Sequence, residues 1–244
     1  MNMDFVTVFS KEWKEILLER AGGGGLRPLI MVGLIGVLVP LRLGAQRYFG
    51  PQPIFGLIVV SLAGILAVVP DAFAGERERH TLETLLASRL PDRSILFGKL
   101  AACLGYGWLL SIITIVLGII TVNAANWNGH VLLYRDAGSW LGLILLPPLV
   151  GGAVASAGVF ISLRAATVRQ AQQTLMVAIV AGVLAITFGI PVLPENVKLW
   201  FARILAAWSA AEVVLAAGAV VLAVDLVLVL AALSRFQRSK LVLD

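Results

Sequence analysis

One cysteine, Cys103, occurs in 244 residues, and it lies inside an apolar run. A disulfide within the chain is therefore excluded, and a cysteine-based metal cluster has no ligands. Two histidines are present, His80 and His130, and the run E-R-E-R-H at 76–80 is not H-E-x-x-H, so a zinc-protease site is excluded as well. Charge is scarce: 14% of the residues are Asp, Glu, Lys or Arg, against about 25% in soluble domains. No G-x-x-x-x-G-K-[S/T] occurs. Gly98-Lys99 is followed by Leu100, and the run 22–25 has no Lys-Ser/Thr after it. The chain lacks a loop that cradles phosphates and does not hydrolyse ATP by that route. G-x-S-x-G is absent, so Ser156 and His130 do not make a serine protease. The charged opening has no small-residue cleavage site, and the first span is expected to act as its own insertion signal.

Apolar residues are what the chain has in quantity: 59% are hydrophobic, with a mean hydropathy of +0.95. This composition predicts an all-α integral membrane protein, a single transmembrane domain over 1–244. The net charge of +5 does not indicate nucleic acid, because the basic residues stand at the ends of apolar segments, where they reach lipid headgroups. Six spans are expected at 28–43, 54–74, 95–122, 140–163, 174–190 and 211–233, set by the ~20 residues a crossing needs. Pro40 and Arg42 shorten the first.

Two further segments are amphipathic. Over 4–20, Phe5, Phe9, Trp13, Ile16 and Leu17 recur at helical spacing, with Thr7, Ser10, Lys11, Lys14 and Glu15 on the other side. That pattern predicts an interfacial helix anchored by Trp13, Lys11 and Lys14; a helix packed on a protein core is the alternative. Over 191–209, Val197, Trp200, Phe201, Ile204 and Trp208 form a stripe beside Lys198 and Arg203, as expected of an outer interfacial or re-entrant helix, with a seventh crossing as its rival. Placing the amino terminus in the cytoplasm puts 14 of the 19 basic residues inside and 5 outside. Both termini are then cytoplasmic, and Trp127, Tyr134 and Trp140 form an outer aromatic belt. The outer loops are too short for a domain.

The one strongly charged interior stretch is 76–99. Within it Leu82, Leu85, Leu86 and Leu90 share one helical stripe. Glu76, Glu78 and Glu83 suit the start of a helix, Thr81 can cap it, and Pro91 stops it. Such a ridge either docks into a groove on a partner protein or lies flat on the membrane. Arg164, Arg169 and Gln170 mark a second polar connection, solvated or in contact with the same partner. Asp225 lies deep in the sixth span, where a carboxyl is costly. It reads as a substrate or dimer contact, or as a protonated group bonded to a neighbouring helix. Asp71, after Pro70, either pairs near a kink or lines the path. Pro147 and Pro148, followed by small residues, mark tight packing or a hinge.

The run E-R-E-x-x-T-L-E-x-L-L-A-S-x-L-P-D-R-x-I-L-x-G-K resembles the signature of ABC type-2 transporter permeases, the six-helix membrane subunits of ATP-driven exporters. F-x-K-E-W-K-E-I-L resembles that family's elbow helix, and 162–173 its second cytoplasmic connection. The resemblance implies a coupling helix within 76–90 that inserts into a cleft on a separate nucleotide-binding ATPase. Glu76, Glu78, Thr81, Leu82, Leu85, Leu86 and Leu90 would be its contacts, and Arg164, Arg169 and Gln170 a second set. His80 and Arg89 depart from the pattern, standing where glycine and proline are frequent. The resemblance further implies a second permease copy or a related permease, a plasma (inner) membrane location, and ATP and Mg held by the partner, with no cofactor on this chain. A stand-alone channel or ion-coupled carrier is the rival; it calls for several deep ionisable residues, and Asp225 alone is clearly deep.

Overall fold

The computed structural model describes residues 2–19, 26–50, 52–79, 89–127 and 129–235. The glycine run 22–25 lies outside them. Six of the described helices are long and apolar enough to cross a membrane: Pro28–Tyr48, Gln52–Glu78, Asp92–Ala125, Ala137–Ser162, Val168–Val192 and Ala210–Leu233. They are called the first to sixth spans below. The protein is a multi-pass, all-helical membrane protein. Its third span, at 34 residues, is about 50 Å long and outreaches the ~30 Å hydrocarbon layer. Its first turns, with Asp92 and Arg93, therefore stand at one polar end. The amino-terminal helix Asn2–Glu19 and the close of the sixth span gather at the same end, which we call the charged end.

The first span is not shortened by Pro40 and Arg42: expected to close at residue 43, it runs on to Tyr48. A π-helical stretch, Leu34–Leu38, precedes the proline, and the helix continues past Arg42 until Gly44 takes φ 72°, a conformation only glycine adopts cheaply. A proline supplies no N–H and crowds the carbonyl four residues back, here Gly36, and the widened turn that contains Gly36 absorbs the mismatch. In the second span a π-helical stretch, Asp71–Gly75, follows Pro70 instead.

Pro147 and Pro148 sit inside the fourth span without stopping it. Pro148 leaves the carbonyl of Ile144 without its helical donor. The indole of Trp108, on the third span, donates to that oxygen at 3.1 Å, so a neighbouring span replaces the lost bond. Trp108→Phe keeps the ring and removes the donor. It is expected to cost about 1 kcal/mol, read as a fall of roughly 2–4 °C in the thermal midpoint in detergent; an unchanged midpoint would sink this assignment.

The core is built by close crossings of the second, third and fourth spans. Ile65, Val69, Phe73, Leu96, Cys103 and Val159 are buried together, and Gly64 meets Gly107 where the second and third spans cross. Ser111 donates to the carbonyls of Leu57 and Gly107 at 3.0 and 3.2 Å, and Ser61 to that of Pro147 at 3.3 Å. These small polar residues stay satisfied without opening the packing.

At the far end, Tyr48, Phe49, Tyr134 and Trp140 form an edge-on cluster with ring centres 5.1–6.1 Å apart. Tyr134 donates to the Tyr48 carbonyl at 3.0 Å, and Trp140 to that of Tyr134 at 3.2 Å. Burial pushes the Tyr134 phenol well above its ordinary pKa, and the Tyr48 phenol beside it pushes the same way. Of the three aromatics expected in an outer belt, Trp127 is exposed, and Tyr134 and Trp140 fix the loop after the third span to the bundle. The segment 191–209 contains a 13-residue helix, Glu195–Ala207. At about 20 Å it is too short to cross the hydrocarbon. The fifth span buries Ala171 and Leu175 and then exposes an apolar surface along its remaining length.

Candidate functional site

The amino-terminal helix lies against the third span, not free of the protein. Val8 meets Gly98 and Trp13 meets Gly105, where the missing side chains let the two helices approach. Phe5, Phe9 and Trp13 stack in sequence at 6.3 and 5.8 Å. The buried face is Val8, Glu12 and Ile16, and Leu17, expected on the apolar side, turns outward. Lys14 is exposed and Trp13 half-buried. Lys11 reaches Glu12 and Glu15 at 3.4 Å each. Burial pulls the Lys11 pKa down, but Glu12, Glu15 and Glu76 together outweigh it, and its pKa is raised.

Glu12 faces inward because a lysine waits there. Lys99, only 1% exposed, donates to Glu12 Oε1 at 2.9 Å and to Glu76 Oε1 at 2.8 Å. Its ammonium also lies 5.9 Å from the centre of the Phe73 ring. Two carboxylates around one ammonium form a buried triad that joins the amino-terminal helix, the end of the second span and the start of the third. Sequence reasoning missed it. The available signal was Glu12, which shares the helical stripe of Phe5, Phe9, Trp13 and Ile16, and Lys99 embedded among apolar residues.

The four residues after Gly75 each find a partner inside the chain. Glu76 holds Lys99. Arg77 donates to the Leu163 carbonyl at 2.9 Å, and Glu78 accepts from the Val168 N–H at 3.0 Å. Arg79 pairs with Asp71 at 2.9 Å. The start of the charged stretch is thereby tied to the connection between the fourth and fifth spans. That connection is ordered by Thr167, which accepts from the Gln170 N–H at 3.2 Å, and by Gln170 Oε1, which accepts from the Ala166 N–H at 3.0 Å. This near-capping-box arrangement starts the fifth span. Arg164 lies over the Phe160 ring at 5.0 Å, and Arg169 is exposed. Leu90 packs against the core. Thr81, Leu82, Leu85 and Leu86, with His80 and Glu83, lie outside the described residues.

Asp225 occupies a separate place. It lines a cavity of about 780 Å³ between the amino-terminal helix and the third, fourth and sixth spans. Gly152 of the fourth span stands directly against it: a Cβ there would fall 2.5 Å from Asp225 Oδ2. No group of three or more His, Cys, Asp or Glu able to hold a metal exists among the described residues.

Comparison with curated proteins and with solved structures returned no match. The family model for ABC-2 family transporter proteins matches residues 42–233, from the close of the first span through the charged stretch to the end of the sixth. With most of its length inside that one family model, this multi-pass chain belongs to the ABC-2 family of transporter proteins.

Proposed function

We propose that the chain is the permease subunit of an ATP-driven exporter. It would form half of a translocation path, completed by a second copy or a related permease, in the plasma (inner) membrane with both termini cytoplasmic. ATP and Mg would be bound and hydrolysed by a separate ABC ATPase, since the sequence has no phosphate-binding loop. The ATPase would grip the segment 80–88, with Leu82, Leu85 and Leu86 as the inserted ridge.

One observation carries this reading. The residues immediately before that segment, at the close of the second span, are bonded to the third and fifth spans and to the connection between the fourth and fifth: Glu76 to Lys99, Glu78 to Val168, and Arg77 to Leu163. A displacement of 80–88 therefore cannot stay local, because each bond converts it into a pull on the second, third, fourth or fifth span. In this arrangement Glu76 and Glu78 carry force within the permease, and the leucines receive it. A rigid attachment of this kind is what a coupling element between two subunits needs.

The test is co-purification with the cognate ATPase in detergent, followed by ATPase assay, for Leu82→Asp and Leu85→Asp. Association is expected to fall at least tenfold while the chain still inserts and elutes as a folded species. Undiminished association of both variants removes the coupling assignment. A stand-alone channel or carrier would instead show full transport without any ATPase.

A further inference from the structure

A carboxyl group within a membrane span is normally paired or hydrogen-bonded to a neighbouring helix. Asp225 is not. Its Oδ1 is buried without a hydrogen-bond partner among the described residues, and none of the ion pairs among them includes it. Arg93 lines the same cavity and does not pair with it. Gly152 makes room for the carboxyl, since any side chain there would collide with Oδ2. Apart from Arg93 and Ser94 at the start of the third span, the remaining walls are apolar, with Phe97, Leu100, Leu104 and Val229 among them, and Ser156 adds a hydroxyl on the Gly152 side. The volume of about 780 Å³ falls within the ~300–1,000 Å³ of small-molecule sites.

We propose that this cavity binds an amphiphile bearing a protonated amine, with Asp225 as its counter-charge. An anion would be repelled by the carboxylate and attracted to Arg93 at the start of the third span, away from the apolar walls around Leu100 and Leu104. A small inorganic cation would surrender its hydration to mostly apolar walls and recover little. A molecule with an apolar body and one ammonium matches both features, because the body fills the hydrocarbon-lined part and the N–H donors supply the carboxylate with the partner it lacks among the described residues. The inference concerns binding by this chain alone and goes beyond the permease reading: it stands or falls whether or not an ATPase couples to 80–88.

The experiment uses the full chain in nanodiscs of neutral phosphatidylcholine, with signal from protein-free discs subtracted. The probes are a dansyl-labelled alkylamine and its N-acetylated counterpart, which has the same body and no charge. The amine is expected to bind at least tenfold more tightly than the acetylated compound. Asp225→Asn should abolish that difference while leaving the acetylated compound's affinity unchanged. Gly152→Leu should weaken both, since its side chain displaces the carboxyl and fills the cavity. Equal affinity of the two probes for the unaltered protein overturns the proposal without need of any variant, as does an amine preference that survives Asp225→Asn.

Discussion

Lys99→Met is expected to destabilise the protein by about 3–5 kcal/mol, lowering its thermal midpoint in detergent by roughly 10 °C. Methionine fits the space of the lysine stem, so the loss comes from charge and not from volume. Removing the ammonium leaves Glu12 and Glu76 facing each other across a site that buries the lysine to 1% exposure. Lys11, half exposed and 3.4 Å from Glu12, replaces little of the lost attraction, so the carboxylates keep the cost of leaving water without the ammonium that offset it. The triple variant Lys99→Met, Glu12→Gln, Glu76→Gln separates charge from volume. With the charges gone together, most of the lost stability should return, because a neutral set of similar shape has no unpaired ion to bury. If the triple variant is as unstable as the single one, the triad is not an electrostatic unit.

The second large effect is steric. Gly107 faces the carbonyl oxygen of Ser61 and the Ile65 side chain, each of which would lie 2.8 Å from a Cβ placed there. The carbonyl belongs to the second span and cannot rotate out of the way, so the spans must separate. Gly107→Ala is expected to cost about 1–3 kcal/mol through overpacking, more than the ~1 kcal/mol that alanine gains over glycine in a helix. Gly107→Leu should abolish recovery of folded protein. Gly182, on the exposed part of the fifth span, has nothing within 4 Å of such a Cβ; Gly182→Ala should be neutral or stabilising by up to about 1 kcal/mol. Equal behaviour of the two glycines in thermal unfolding would show that the crossing is looser than described.

Legibility followed the length scale of the signal. The six spans are read from runs of some twenty residues in which nearly every side chain is apolar, and small local irregularities do not erase such a pattern. Their ends were less legible. Pro40 and Arg42 look as if they shorten the first span to 28–43, yet it runs on to Tyr48, because a π-helical stretch before the proline absorbs its missing donor. Glu76 and Glu78 read as surface charges for a partner, since helical spacing and a charged neighbourhood say nothing about what faces them. In the folded chain they meet Lys99 and the Val168 N–H, residues 23 and 90 positions away.

By itself, then, the order of residues determined that this chain crosses a membrane six times, that it lacks its own phosphate-binding loop, and that its family resemblance sits in the charged stretch after the second span. These are properties of composition and of short-range periodicity. Only tertiary structure decided that Glu12, Lys99 and Glu76 form one buried unit, that Trp108 repairs the break Pro148 makes, and that Asp225 opens into a cavity. The reason is common to all three. Each depends on which groups from distant segments arrive within about 3 Å of one another, and in a low-dielectric interior that proximity, not the identity of any single residue, sets whether a charge or a bare carbonyl is costly or satisfied.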